Sequence, residues 1–509
     1  MNKEKKNIDW LLLVFLLLFT NQAMFSLKIF GLVLIYILRP NFDLGIKRGR
    51  VPLFFLLIIL LAGVNFLFFI RDFSSSYITA FLVGNAFWIF SLLSFHQLKL
   101  SVERYGAKTA HNTLKVFTIL HFVLSIYQLV NIMILTGKVN PYEGLPFPYG
   151  MSTGDNIYGA LFGFSLYNVT ISTFLTIYFL FKRQAGYAIL ASTSVVLVFS
   201  NFGSLVYAGI LLGLAFVGML NLITDRKYNL LNRLSPPGNF GLYIPFCLLF
   251  IVIMYVTVSP SNAEYIVMKV KAKIFSIDVQ GKNNYRSIIA DQQVDPKAYE
   301  PYADDGYLDE KFERYADESK AYFSNVSNQS SGTAEDRISI KREMTKVYIH
   351  NLQGKTLAVL ETKAFLKSSP INMLMGAGTT RFSSNIAQKM AGFDSSRLFM
   401  NYLPSFSSPL YEENHKLLIE ERIKSEEAYF STANFPDSFY NQIFGEYGVF
   451  GVLIFLFFYV GYFYKSFNKL SYGIWLFLIL VPFAHLSYIF DTLCVMPFFE
   501  WLMLIDIEE

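Results

Sequence analysis

The groups equipped for chemistry gather late in the chain. Arg337, Lys341 and Arg342 stand at helical spacing, which puts Arg337 and Lys341 on one face. Over a membrane mouth such a cluster suits a polyanionic or pyrophosphate group, with arginine the better bidentate partner; the plainer reading is a solvated charge run. Gly376-Ala377-Gly378 precedes Arg381. Glycines there let backbone approach a ligand, and a nearby guanidinium can fork onto phosphate; a simple glycine turn is the alternative. Asn434–Gly451 carries Asp437, Asn441, Gln442 and Glu446 into the start of an apolar helix. Charge in that position is costly, and an ionisable residue inside a membrane is a functional candidate by default. The competing reading makes Glu446 an anchor paired with an arginine. Gly445, Gly448 and Gly451 point to close helix contact, while His121, His485 and Glu500 sit within apolar runs where interhelical hydrogen bonding accounts for them.

These residues need a membrane to make sense. The chain is 53% hydrophobic and only 16% charged, with a mean hydropathy of +0.39, whereas soluble domains are roughly a quarter charged. Apolar runs of about 20 residues recur, enough to cross about 30 Å of hydrocarbon as helices. We read about twelve spans. Two short ones, Trp10–Thr20 and Ala23–Leu38, are followed by Val51–Ile70, Tyr77–Phe95, Leu114–Thr136, Ile157–Phe181, Tyr187–Ser200, Ser204–Ile223 and Leu242–Val258. Three more follow a long polar interval: Phe439–Tyr464, Tyr472–Phe490 and Cys494–Ile505. Lys3, Lys5 and Lys6 ahead of the first span resemble a signal peptide, but no small-residue cleavage site follows. Every second loop is basic, and that alternation places both termini in the cytoplasm and Ser259–Asp437 outside. The net charge of +5 comes from these short loops and does not point to nucleic acid. Cys247 and Cys494 lie in apolar runs and imply no disulfide framework.

The expected fold is therefore an all-α polytopic membrane protein. Residues 1–258 form an N-terminal bundle of about nine helices, 259–437 one large extracytoplasmic loop, and 438–509 about three C-terminal helices. Within the loop, Asp278–Ser331 is polar and irregular. Ala334–Lys367 reads as an amphipathic helix that ends at Ser369-Pro370, and Tyr411–Tyr429 as a second. A mostly helical cap over the bundle is the expectation.

Asn434–Leu456 resembles the signature of the O-antigen polymerase and ligase (Wzy/WaaL-like) superfamily, in which a polar "HN-S-x-L" stretch leads into "E-x-G-x-x-G". The match here is Ser438, then Glu446-Tyr447-Gly448 and Gly451. The family's arginine-bearing loop helix followed by "S-P…G-x-G" is similar to Arg337, Ser369-Pro370 and Gly376–Gly378. Its "G-x-F-x-x-x-N-x-x-A" before a span resembles Gly150–Ala160, with Asn156. The layout agrees over most of the chain, though the motifs are loose. The ligase histidine falls on Pro436 and its following asparagine on Asp437, and the family's "S-R-G" falls on Asn201-Phe202-Gly203. The polymerase branch fits better.

The resemblance implies a metal-independent glycosyltransferase of the bacterial inner membrane, with no cofactor. It would polymerise polyprenyl-diphosphate-linked oligosaccharide repeats into surface polysaccharide, alongside a flippase and a chain-length regulator. The lipid tail needs a groove between apolar helices, the diphosphate needs cations, and the acceptor hydroxyl needs a base. In the histidine's place the base is Asp437, with Glu446 a structural carboxylate nine positions on and His415 in reserve. Arg337, Lys341, Arg342 and Arg381, with Asn156 from the motif, would hold the substrate. No Asp-x-Asp or His/Cys ligand cluster appears in the sequence. The alternatives are ligase-type transfer to a lipid or protein acceptor, a polysaccharide flippase, for which no internal repeat is visible, and a receptor or assembly factor that binds a partner through the loop.

Overall fold

The computed structural model describes residues 6–22, 24–68, 74–142, 153–199, 201–236, 243–258, 354–392, 405–424 and 435–509. All regular structure among them is helical. In order the helices are α1 (Trp10–Phe19), α2 (Phe25–Leu38), α3 (Phe54–Phe68), α4 (Ser75–Thr136), α5 (Ser165–Phe181), α6 (Ala185–Val198), α7 (Asn201–Ile223), α8 (Asn229–Leu234) and α9 (Tyr243–Val258). Then come α10 (Gly354–Ser368), α11 (Pro370–Met375), α12 (Asn385–Met390), α13 (409–424), α14 (Phe439–Tyr464), α15 (Tyr472–Leu486) and α16 (Val495–Glu508). Three helices are long and apolar enough to cross a membrane: α4, the Gly203–Ile223 stretch of α7, and α14. Seven shorter apolar helices of 10–17 residues accompany them.

The sequence places a loop with Lys99, Arg104 and Lys108 between the fourth and fifth spans. The structure instead continues the helix through it as the 62-residue α4, interrupted at Gly106 (φ 80°, ψ 169°). The charged residues there are compatible with helix, and glycine alone supplies the break. Ser101 and Thr113, on either side of the break, both reach the Asp9 region: the Ser101 hydroxyl donates to Asp9 Oδ2 at 2.6 Å and Asp9 N to Thr113 Oγ1 at 3.0 Å. Further along the two arms, Phe87 stacks on Phe25 and Gln128 hydrogen-bonds Gly159. Gln22, next to Phe25, donates its backbone N–H to Leu161 O, so both arms return to one layer.

The basic turns form a second, opposite layer. Arg39 grips both carboxylate oxygens of Asp9 at 2.8 Å, with side chains 5% and 1% exposed. Arg50 pairs with Glu103 at 3.1 Å, and Tyr462 Oη donates to Arg50 O. His111 meets Tyr178, Lys182 pairs with Glu509, Arg233 donates to Phe467 O, and Trp475 to Leu234 O. Asp506 accepts Ser471 N and Gly473 N, each at 2.8 Å, and so caps the start of α15 from a neighbouring helix. The five basic loops read from the sequence are thus tied together. Between the layers α5 is buried nearly all round, as expected of a helix apolar on every face with small hydroxyls bonding its own turns.

Candidate active site

The layer opposite the basic turns holds the candidate chemistry. Asp437 ends the long interval just before α14, where Phe439 N donates to Ser487 O at 3.1 Å. That bond ties the start of α14 to the end of α15. Lys355, in the first turn of α10, is 3% exposed and donates its ammonium to Asp437 O and, at 3.0 Å, to Leu486 O. It joins α10 to the start of α14 and the end of α15. Burial pushes Lys355 down to about 8, against the upward pull of Asp437. Burial raises the Asp437 carboxyl above the ordinary carboxylate range, and Lys355 partly offsets that. The residue is half-buried, but its Oδ1 is enclosed and has no hydrogen-bond donor among the described residues. The phenol of Tyr411 is pushed up by burial first and by the Asp437 charge second.

Glu446 is fully buried one step deeper. The sequence offered an arginine as its partner. What surrounds it is the 380–384 turn: Ser383 N donates to Oε1 at 3.3 Å, and Ser384, the N-cap of α12, also bonds it. Two glycine breaks bring this about. α14 is interrupted at Gly448 (φ 63°, ψ −160°), which frees the carbonyls of the preceding turn. Gly376 (φ 74°, ψ −166°) opens a turn whose Ala377 N donates to Gly445 O at 2.8 Å and Gly378 N to Glu446 O at 2.9 Å. A Cβ on Gly376 would lie 2.5 Å from the Glu446 carbonyl carbon, and one on Gly448 2.5 Å from Leu374 O. The glycines of 376–378 therefore admit the broken helix, not a ligand. Asn65 of α3 completes the joint by donating to Met375 O at 2.7 Å.

The other residues singled out in the sequence fall in varied places. Arg337, Lys341 and Arg342 lie outside the described residues. Arg381 is 4% exposed with its guanidinium 5.2 Å from the Tyr77 ring centre, and its carbonyl accepts from Ser408; it faces the first turn of α4. His415 sits on a π-helical turn of α13, fully buried edge-on to Phe382 at 5.0 Å. Asn156 accepts from Tyr158 Oη at 3.2 Å. His121 bonds Asn168 and Ser172 and receives Ala160 N, and Glu500 receives Tyr459 Oη at 2.8 Å; both serve helix contacts. The helix expected over Ala334–Lys367 is seen from Gly354, and Ser369-Pro370 both ends it and caps α11.

Sequence reasoning passed over Lys355, Lys28, Lys389 and Asp491. The last three line a cleft with Gln22, Phe25, Phe87, Asn385 and Thr492. Asp491, between α15 and α16, is raised to about 6 by burial, which outweighs its bonds from Gln442 and from the Asn385 and Ile386 amides and the charge of Lys389. A lone lysine in an apolar run, as Lys28 is in α2, was the available signal. Searches of protein-family models, of curated proteins and of solved structures find no match for this chain.

Proposed function

We propose that this chain is a lipid-linked-donor glycosyltransferase. It polymerises polyprenyl-diphosphate-linked oligosaccharide repeats at the outer face of a bacterial inner membrane. About twelve spans cross the bilayer, the basic layer faces the cytoplasm with both termini, and the Asp437 layer faces outward under the long loop. The observation that carries the reading is Asp437 Oδ1, enclosed and without a donor among the described residues, beside Lys355 where the loop helix meets α14 and α15. Asp437 takes the proton of the acceptor hydroxyl as its oxygen attacks the anomeric carbon. The diphosphate leaves with the bonding electron pair, its charge met by cations of this layer. A carboxyl raised by burial holds a proton better than an ordinary one and is the more effective base near neutral pH.

The test is polymer formation from a polyprenyl-diphosphate-linked repeat by membranes bearing each variant at equal abundance. Asp437→Asn should make no long polymer, and Glu446→Gln should fail only in proportion to lost folding. Long polymer from Asp437→Asn with none from Glu446→Gln would invert the assignment. Supplying a separate lipid or protein acceptor distinguishes ligase-type transfer. A transporter is a second reading, favoured by the broken α14, since discontinuous helices build transport sites; movement of the lipid-linked repeat across vesicles without new glycosidic bonds would establish it.

A further inference from the structure

Glu446, Gln442 and Asp491 are 0%, 2% and 3% exposed. Glu446 follows Gln442 by four residues on α14, before the break at Gly448, so the two share a face. Gln442 donates its amide to Asp491, which brings the turn between α15 and α16 to that face, and the Asp491 charge acts on Glu446. One short stretch pins both carboxylates. Ser383 N donates to Glu446 Oε1 at 3.3 Å, and the Asn385 and Ile386 amides donate to Asp491. Each carboxylate still keeps one enclosed oxygen, Glu446 Oε2 and Asp491 Oδ2, with no donor among the described residues. Gln442 Oε1 is enclosed in the same way. That amide is the independent sign of a ligand, because a neutral side chain cannot relieve its burial by taking up a proton. A proton shared by the two carboxylates joins two oxygens and leaves the third unmet. Lys389 acts on Asp491 and offsets at most one of the two carboxylate charges. Lys28, which lines the cleft beside Asp491, directs its ammonium to Phe19 O at 2.9 Å.

We propose that Gln442, Glu446 and Asp491 hold one hard cation, of the sodium or calcium class, between α14 and the turn that precedes α16. The donors are all oxygens, as such ions require, and a hard cation accepts several of them at once at about 2.0–2.6 Å. Backbone amides fix both carboxylates in advance, so little ordering remains for the ion to impose. The bound ion cross-links α14, above its break, to the turn that follows α15. It enters no step of the reaction proposed above.

The experiment measures binding of radioactive sodium and of radioactive calcium to full-length protein purified in neutral detergent, with choline chloride holding ionic strength constant. One of the two ions should bind saturably, one per chain, and should raise the unfolding temperature as its concentration rises. Glu446→Gln and Asp491→Asn replace a charged oxygen with little change of shape, and each should weaken binding at least tenfold. Gln442→Ala should weaken it several-fold; it leaves both carboxylates in place and keeps the test open if either of their variants fails to fold. Preference for sodium assigns a monovalent ion beside Lys389, and preference for calcium assigns a divalent ion matched by both carboxylates; both support the site. No saturable binding of either ion overturns it, as does binding unchanged in Gln442→Ala or in both carboxylate variants. A proton released by the wild type as pH rises, with no ion taken up, assigns a shared proton and overturns it too.

Discussion

Gly376→Ala and Gly448→Ala test whether the joint between loop and broken helix is built from backbone. Both glycines occupy a region of positive φ and extended ψ that is essentially closed to other residues, which costs on the order of 1–3 kcal/mol for alanine. Neither added methyl has room: its neighbours at 2.5 Å are backbone atoms, which move only if the turn withdraws from α14. Withdrawal breaks the Ala377–Gly445 and Gly378–Glu446 bonds, about 1 kcal/mol each and more if the carbonyls stay dry. Each substitution should therefore cost about 3–5 kcal/mol. Reversible unfolding in mixed micelles, followed by circular dichroism, reads the loss. Since both variants break one joint, the double variant should add no more than about 1 kcal/mol to the worse single one. Gly63→Ala is the control: it lies within α3 with nothing within 4 Å of its added methyl, and should be neutral or stabilising by about 0.5–1 kcal/mol. A Gly448→Ala protein within about 0.5 kcal/mol of wild type would refute the reasoning.

Arg39→Ala strands the buried Asp9 carboxylate and should cost about 3–5 kcal/mol in the same unfolding measurement, while the Arg39→Ala, Asp9→Ala double variant should recover part of that; full additivity would show that the pair does not interact. The acid limb of polymer formation should lie above the ordinary carboxylate range, because burial raises Asp437, and Lys355→Met, which removes the charge that lowers it, should move the limb to higher pH; an unmoved limb excludes Asp437 as the base. Lys355 releases its proton at about 8 when folded and 10.5 when not, so stability should rise between those pH values by about 3 kcal/mol and stay flat there in Lys355→Met. Single cysteines at Ser327 and Ser466 should be labelled by an impermeant thiol reagent on intact cells at Ser327 only; the reverse pattern would invert the topology.

Legibility followed the range of the interaction. The alternation of basic loops was visible because each loop announces its own charge, and the structure adds only that Arg39, Arg50, Lys182, Arg233 and their partners meet in one layer. Gly376 and Gly378 were readable as a turn, since glycine signals a backbone need locally. What the turn docks against lies some seventy residues away and leaves no local trace. Lys355 looked like any solvated residue of an amphipathic helix; its partners, Asp437 O and Leu486 O, are distant in sequence. The helical turns that run up to Gly106 and away from it were missed because charge was read as loop, although lysine, arginine and glutamate are good helix formers. Arg381 was read as a phosphate fork from its neighbours in sequence; that its guanidinium lies over the Tyr77 ring, some three hundred positions away, left no local trace.

The two layers handle charge in opposite ways. In the basic layer Asp9 is gripped by Arg39 and Ser101, Glu103 by Arg50, and Asp506 by two amides and a hydroxyl. Burial there is offset by these pairs, although Arg39 Nη1 and Arg233 Nε are enclosed without a partner among the described residues. In the opposite layer three carboxylates, Asp437, Glu446 and Asp491, each keep one enclosed oxygen without a donor among the described residues. Each such oxygen costs about 1–3 kcal/mol. On the proposed function, a need for a group able to accept a proton accounts for the enclosed oxygen of Asp437.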